Sequence, residues 1–221
     1  MPDTRQWMEC YLEKMREAFG SRIVFVGIQG SRGRGEARED SDIDVVFLLD
    51  YVTAADLDTY RAAAADLPER ALLCGFVSGR EELAAWDRAD LFQFYHDTVP
   101  YWGDLEFLRP LIGPTDIHRA VHRGACDIYH ACCHNYLHEE DAGILRSCFK
   151  SACFVLQAKY YLETGEYVSH RAELASRLSG VDGKVLAAAL EGAFAGKFSE
   201  YSALMLEWAS GLIRENPAEI L

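Results

Sequence analysis

Gly30-Ser31, a ten-residue spacer and Asp42-Ile43-Asp44 are the residues of this 221-residue sequence whose types and spacing could do chemistry. Gly30 permits positive φ and a close approach of backbone to an anion. Ser31 adds a hydroxyl donor, and amides that open a helix after it can point at a phosphate. Arg32 and Arg34 are planar, always-charged forks able to reach the outer phosphates of a nucleotide. Side chains alternate along a strand, so Asp42 and Asp44 share one face while Ile43 and Val45 point the other way. Two like charges that close are costly unless a cation lies between them. Mg²⁺ takes one or two carboxylates and completes its shell with water and phosphate oxygens. Together these features point to a nucleoside triphosphate and a divalent metal.

The flanking elements have to place the two halves side by side. Ile23 to Ile28 is a short β-branched run, read as a buried strand, and Asp42 to Leu49 reads as the next one. Before them, Trp7, Met8, Tyr11, Leu12, Met15 and Phe19 recur at helical spacing between a cap at Asp3 and a stop at Gly20. Ala54 to Leu67 reads as a helix ended by Pro68. Leu72 to Val77 reads as a third strand and Glu81 to Trp86 as a short helix. Leu91 to Tyr95 and Leu105 to Leu108 are further extended candidates. Pro110, Gly113 and Pro114 then cluster, which sets an expected boundary between residues 1–112 and 113–221. Beyond it the pattern is helical only, over 116–138, 144–163, 170–178, 185–194 and 198–214. Such apolar stripes suit an antiparallel bundle. The fold class is therefore α+β: a small mixed-sheet domain followed by a helical bundle.

Gly30-Ser31-Arg32-Gly33-Arg34-Gly35, followed by Ser41-Asp42-Ile43-Asp44, resembles the polymerase-β type nucleotidyltransferase superfamily over roughly residues 20–110. The small prokaryotic branch, which includes antibiotic nucleotidyltransferases, is the most similar. The resemblance implies transfer of a nucleoside monophosphate from a triphosphate, with ATP the expected donor, to a hydroxyl of a small molecule or protein. It implies that Gly30 and Ser31 hold the triphosphate, that Arg34 contacts its phosphates, and that Asp42 and Asp44 ligate Mg²⁺ or Mn²⁺. The stretch Cys153 to Leu162 with Gly165-Glu166-Tyr167 is similar to the helical domains that follow such catalytic domains, among them the HEPN group. There the bundle forms part of the acceptor pocket.

One departure from the family pattern bears on catalysis. The superfamily carries a third carboxylate on the next strand, whereas Ala71 to Ser78 contains no acid. Asp90, Asp97 and Asp104 are the candidate substitutes, with Asp97 and Asp104 preferred because they precede the domain boundary. Without a third acid, the alternative is a non-catalytic nucleotide-binding or regulatory protein.

The remaining features bound the partners. A formal charge of −13 repels a phosphate backbone, which disfavours nucleic acid, and tolerates a cationic acceptor. The same charge disfavours the ribonuclease reading of Arg123 and His130, whose spacing loosely matches HEPN ribonucleases. Seven cysteines in no framework spacing, no apolar run of membrane length and no signal-peptide core lead to an expected cytoplasmic protein with reduced thiols. Oligomerisation is left open. His118, His122, Cys126, His130, His134 and His138 recur every four residues on one helix. Each such step drifts by about 40° on a 3.6-residue helix, so the set cannot form one metal site, although a pair such as Cys126 with His130 could.

Overall fold

The computed structural model describes residues 3–215. These form two compact units, one made of the chain up to Asp87 with Phe94–Leu111, the other of Arg88–Gln93 and the chain from Ile112 onward.

In the first unit, α1 (Thr4–Phe19) begins where the Asp3 carboxylate accepts from the Arg5 and Gln6 amides. It buries Trp7, Met8, Tyr11, Met15 and Phe19 on one stripe. Each such side chain contributes about 1.5–3 kcal/mol on burial. Trp7 Nε1 donates to the Pro68 carbonyl at 2.6 Å, which fixes the rotation of the helix. The stripe packs with Ile23, Val26 and Ile28 of β1 (Ile23–Ile28) and with Ile43, Val45, Phe47 and Leu49 of β2 (Ile43–Leu49). The β2 residues alternate, so Asp44 is left off this core face.

β1 and β2 pair antiparallel, with Ile28 opposite Val45 and Val26 opposite Phe47. Their connection holds α2 (Gly30–Gly33), a single helical turn. β2 then crosses over through α3 (Ala54–Ala63) to β3 (Leu73–Gly79), which pairs with it in parallel. Thr53 and Asp56 cap α3 reciprocally, and Arg22 holds the Asp56 carboxylate at 2.5 Å. The parallel step needs such a crossover, whereas the antiparallel one needs only a turn. In β3, Gly75 lies at φ +146°, and a Cβ there would fall 2.0 Å from the Val45 carbonyl oxygen, so the close β2–β3 approach excludes any side chain. After α4 (Arg80–Ala84) comes α5 (Arg88–Asp97), then β4 (Val99–Trp102), which pairs antiparallel with β1 and completes the order β3-β2-β1-β4. Pro100 is tolerated because β4 is an edge strand.

Two expectations from sequence are corrected here. Leu91 to Tyr95 is not extended but lies inside α5, where Phe92 packs edge-on to Tyr161 and Tyr167 and Phe94 packs on Phe76. Leu105 to Leu108 is a turn leading into a short 3₁₀ segment over Arg109–Leu111. The fourth strand is instead Val99–Trp102.

The second unit is helical: α6 (Pro114–His134), α7 (Ala142–Thr164), α8 (Arg171–Arg177), α9 (Gly180–Glu191) and α10 (Phe198–Glu215). α6 packs on α7 and α10, and α7 on α9, around Ile117, Val121, Phe149, Leu156, Met205 and Trp208. Pro114 opens α6, where its missing N–H is no loss. The 116–138 helix expected from sequence is present as α6 to His134 and continues with a change of pitch. Asn135–Glu139 form a π-helical turn, and the Asn135 side chain bridges to the Asp141 backbone at 3.0 Å. No helix among the described residues is long and apolar enough to cross a membrane.

Candidate functional site

The β1–β2 hairpin brings the two halves of the motif together. Gln29 N donates to Asp44 O at 2.8 Å, one step beyond the Ile28–Val45 pair, so Gly30 follows β1 directly beside Asp44. Gly30 has φ +67°, and a Cβ built on it would lie 2.1 Å from Asp44 Oδ2. The Asp44 carboxylate thus rests on the bare glycine backbone. Ser31 follows, half-buried, in the first turn of α2, where the leading amides have no intrahelical acceptor. Asp42, exposed, lies just before β2, and Asp44 is half-buried, with Ile43 and Val45 each 1% exposed on the core face. Gln29 closes the turn from the other side, donating to Thr98 Oγ1 at 2.6 Å and to the Phe94 carbonyl at 3.3 Å.

The two arginines turn inward. The Arg34 side chain is 5% exposed, donating to Asp97 Oδ2 at 2.8 Å and to Glu36 Oε2 at 3.0 Å. Burial pulls the Arg34 pKa down, and the Asp97 and Glu36 charges outweigh it, leaving the guanidinium held above its ordinary value. With both carboxylates on its fork, Arg34 reaches a phosphate only if this pair opens. Arg32, 6% exposed, donates to the carbonyls of Ser41 and Asp42.

The structure separates the two candidate bases. Asp97 ends α5 near the turn: a Cβ on Gly33 would lie 3.8 Å from the Asp97 carbonyl oxygen. Its carboxylate, however, is buried on Arg34. Asp104 is not brought to the site. β4 runs antiparallel to β1, with Val99 opposite Ile28 and Trp102 opposite Val26, and Gly103 lies against the Val24 carbonyl. Asp104 follows at the opposite end of the sheet from Gly30, exposed, accepting from the Glu106 amide at 3.0 Å. On β3, the residue in register with Asp44 is Cys74, an exposed thiol. Asp90 belongs to the second unit, where it pairs with Arg123.

The Asp44 carboxylate against a phosphate-compatible turn, with the exposed Asp42 two residues before it, fits a Mg²⁺ or Mn²⁺ site, whose remaining positions water and phosphate would fill. Among the described residues no group of three or more His, Cys, Asp or Glu side chains is arranged to hold a metal by itself. That includes the histidines of α6 and the π-helical turn after it, where Cys126 Sγ lies 3.6 Å from His122 Nε2 and the His134 and His138 ring centroids stand 4.9 Å apart. A separate cavity of about 440 Å³ lies within the second unit, lined by Phe92, Ile128, Phe154 and Val155, with Asp127 and Ser151 among its polar residues.

His96, one residue before Asp97, is partly buried, and burial, aided by the Arg109 charge, lowers its pKa to about 4. The unfolded chain takes up a proton as the pH falls below about 6.5, and the native state does so only near 4. The stability from this group is therefore complete above about pH 6.5 and is lost as the pH falls towards 4. Urea midpoints at pH 7 and pH 5 check this. The loss between them is expected to be about 1–2 kcal/mol larger for the wild type than for His96→Gln. Equal losses would discard the assignment.

Comparison with known proteins follows the same outline. Residues 10–86 match the family model described as a nucleotidyltransferase domain. Among solved structures, the chain is similar to spectinomycin adenyltransferase AAD(9) from Enterococcus faecialis, solved with ATP and spectinomycin. That match has a TM-score of 0.58 at 12% identity and covers 96% of this chain and 100% of that one. At this identity the likeness is one of fold, and it extends over both units. No curated protein matches the sequence.

Proposed function

We propose that the chain, whose residues 10–86 match the nucleotidyltransferase-domain model, is a polymerase-β type nucleotidyltransferase that moves a nucleoside monophosphate from ATP to a hydroxyl of a small molecule. The observation that supports this reading is the Asp44 carboxylate resting on Gly30, an acidic side chain against the turn suited to phosphate. Asp42 and Asp44 would hold Mg²⁺ or Mn²⁺, which when bound stabilises charge on the reacting phosphate and lowers the pKa of an attacking hydroxyl. Gly30 lets the backbone approach the triphosphate, and Ser31 offers it a hydroxyl. Gln29, tied to Thr98 and Phe94, keeps the turn from shifting when the nucleotide enters. The net charge of −13 favours an acceptor that carries amines beside its hydroxyl.

A second reading, nucleotide binding without transfer, rests on one observation. Cys74 stands in register with Asp44 on an acid-free strand, while Asp97 is committed to Arg34. One experiment separates the two. Pyrophosphate release is measured with each nucleoside triphosphate and Mg²⁺ or Mn²⁺ against a panel of amino sugars, aminocyclitols and tyrosine peptides, and melting temperature is followed alongside. At 100 times the dissociation constant, ATP with metal adds about 2.7 kcal/mol to stability, a rise of roughly 5–10 °C for a chain of this length. Pyrophosphate release with one class of acceptor supports transfer. A melting shift with no release from any acceptor favours the binding reading, and no shift at all overturns both.

A further inference from the structure

Arg32 was expected to face phosphate, and its actual position gives it different work. Its guanidinium is buried, with Nε 3.2 Å from the Ser41 carbonyl oxygen and 3.1 Å from that of Asp42, and Nη2 2.8 Å from Ser41 O. It has no carboxylate partner among the described residues, and Nη1 makes no hydrogen bond there. A buried cation compensated only by two carbonyls is expensive. Core packing gives no reason to keep one at this point, since an apolar side chain of similar length would fill the same space.

The backbone around Asp42 supplies the reason. The sheet ladder on this side ends at Asp44, whose carbonyl accepts from Gln29. β2 begins at Ile43, so Asp42 lies outside it. Upstream, the Arg38–Ser41 turn is closed locally, by Ser41 N to Arg38 O at 3.2 Å and Arg38 N to Ser41 Oγ at 2.8 Å. Between that turn and the strand, the Ser41 and Asp42 carbonyls are held from α2 by the Arg32 fork. Arg32 adjoins Ser31 in the same helical turn. One side chain thus spans from the phosphate-facing turn to the backbone of the first acidic residue.

We infer that Arg32 is a positioning residue: it fixes Asp42 at a set distance from Gly30-Ser31 and so pre-forms the divalent-cation site before nucleotide arrives. This rests on the nucleotidyltransferase reading, because it needs Asp42 to be a metal ligand. The guanidinium suits the task since its planar fork addresses two carbonyls at once, which the point charge of lysine does less well.

The test is Mn²⁺ titration of the full chain by electron paramagnetic resonance, with an ATP analogue bridged by methylene between the α- and β-phosphorus. Analogue binding without metal is measured in parallel. Arg32→Ala is expected to weaken Mn²⁺ by about 10–100-fold, the usual cost of removing a group that orients a metal ligand. Metal-free binding of the analogue should stay at the wild-type value. A phosphate-contacting Arg32 would give the reverse, weaker metal-free binding, and that result overturns the inference. So does wild-type Mn²⁺ affinity in the variant. If Arg32→Ala does not fold, Arg32→Lys carries the test: an intermediate loss of Mn²⁺ affinity supports the fork, and unchanged affinity refutes it. A wild-type protein that binds no Mn²⁺ with the analogue defeats the nucleotidyltransferase reading itself, whereas failure confined to the Arg32 variants leaves that reading standing.

Discussion

Asp44→Asn and Asp42→Asn, made together, are expected to remove the metal-dependent part of nucleotide binding and to lower any transfer rate by about 10²–10³-fold. The estimate follows from the several kcal/mol that a bound cation supplies to charge developing on phosphate. Asparagine keeps the shape of each side chain and withdraws only the charge. The increment on adding ATP with Mg²⁺ should vanish. Differential scanning fluorimetry with and without metal, alongside a pyrophosphate assay, reads both effects. An unchanged increment in the double variant would place the nucleotide elsewhere on the chain, and the reading built on the Gly30–Asp44 contact would fall with it.

Asp97→Asn is expected to act mainly on stability. Arg34 and Asp97 are both nearly enclosed, their side chains 5% and 8% exposed. Breaking a buried pair by neutralising one partner costs about 3–5 kcal/mol, because the other charge stays uncompensated. Glu36 still accepts from Arg34 at 3.0 Å, so the lower end, about 3 kcal/mol, applies. For a chain of this length that is a fall of roughly 6–12 °C in melting temperature. A general base would behave differently, with a rate loss of about 10²–10⁴-fold and little change in melting. The Arg34→Met, Asp97→Leu double variant sharpens the contrast. Replacing a buried pair by apolar groups is often neutral, and Glu36, which loses Arg34 as well, is 23% exposed and can hydrate, so most of the stability should return while a base would still be missing. If transfer survives in that double variant, Asp97 is not the base. If Asp97→Asn melts like the wild type and is inactive, the structural account of this residue is wrong.

The local pattern was enough to specify the site's two halves. Strand periodicity in Ile23–Ile28 and Ile43–Leu49, with a glycine-rich turn between, reads as a hairpin from the residues alone. A hairpin returns the chain to its starting point, so Gly30 and Asp44 meet without help from distant parts of the sequence. Most of the helices were equally legible, because apolar stripes such as that of α1 repeat over four turns. A short apolar run was not. Leu91 to Tyr95 has too few residues to show a period, and its helical state is fixed by partners far along the chain, among them Phe76 and Tyr161. The same holds for the charged groups. Whether Arg34 faces phosphate or Asp97, and whether Arg32 reaches outward or back to Ser41 and Asp42, depends on which groups the folded chain brings within hydrogen-bond distance. Asp97 and Asp104 look alike in sequence, seven residues apart. The antiparallel run of β4 sends one to the turn and the other to the far end of the sheet. Residue type set the chemistry available to each side chain. Strand direction and burial, which only the assembled sheet defines, decided which of them stand at the site.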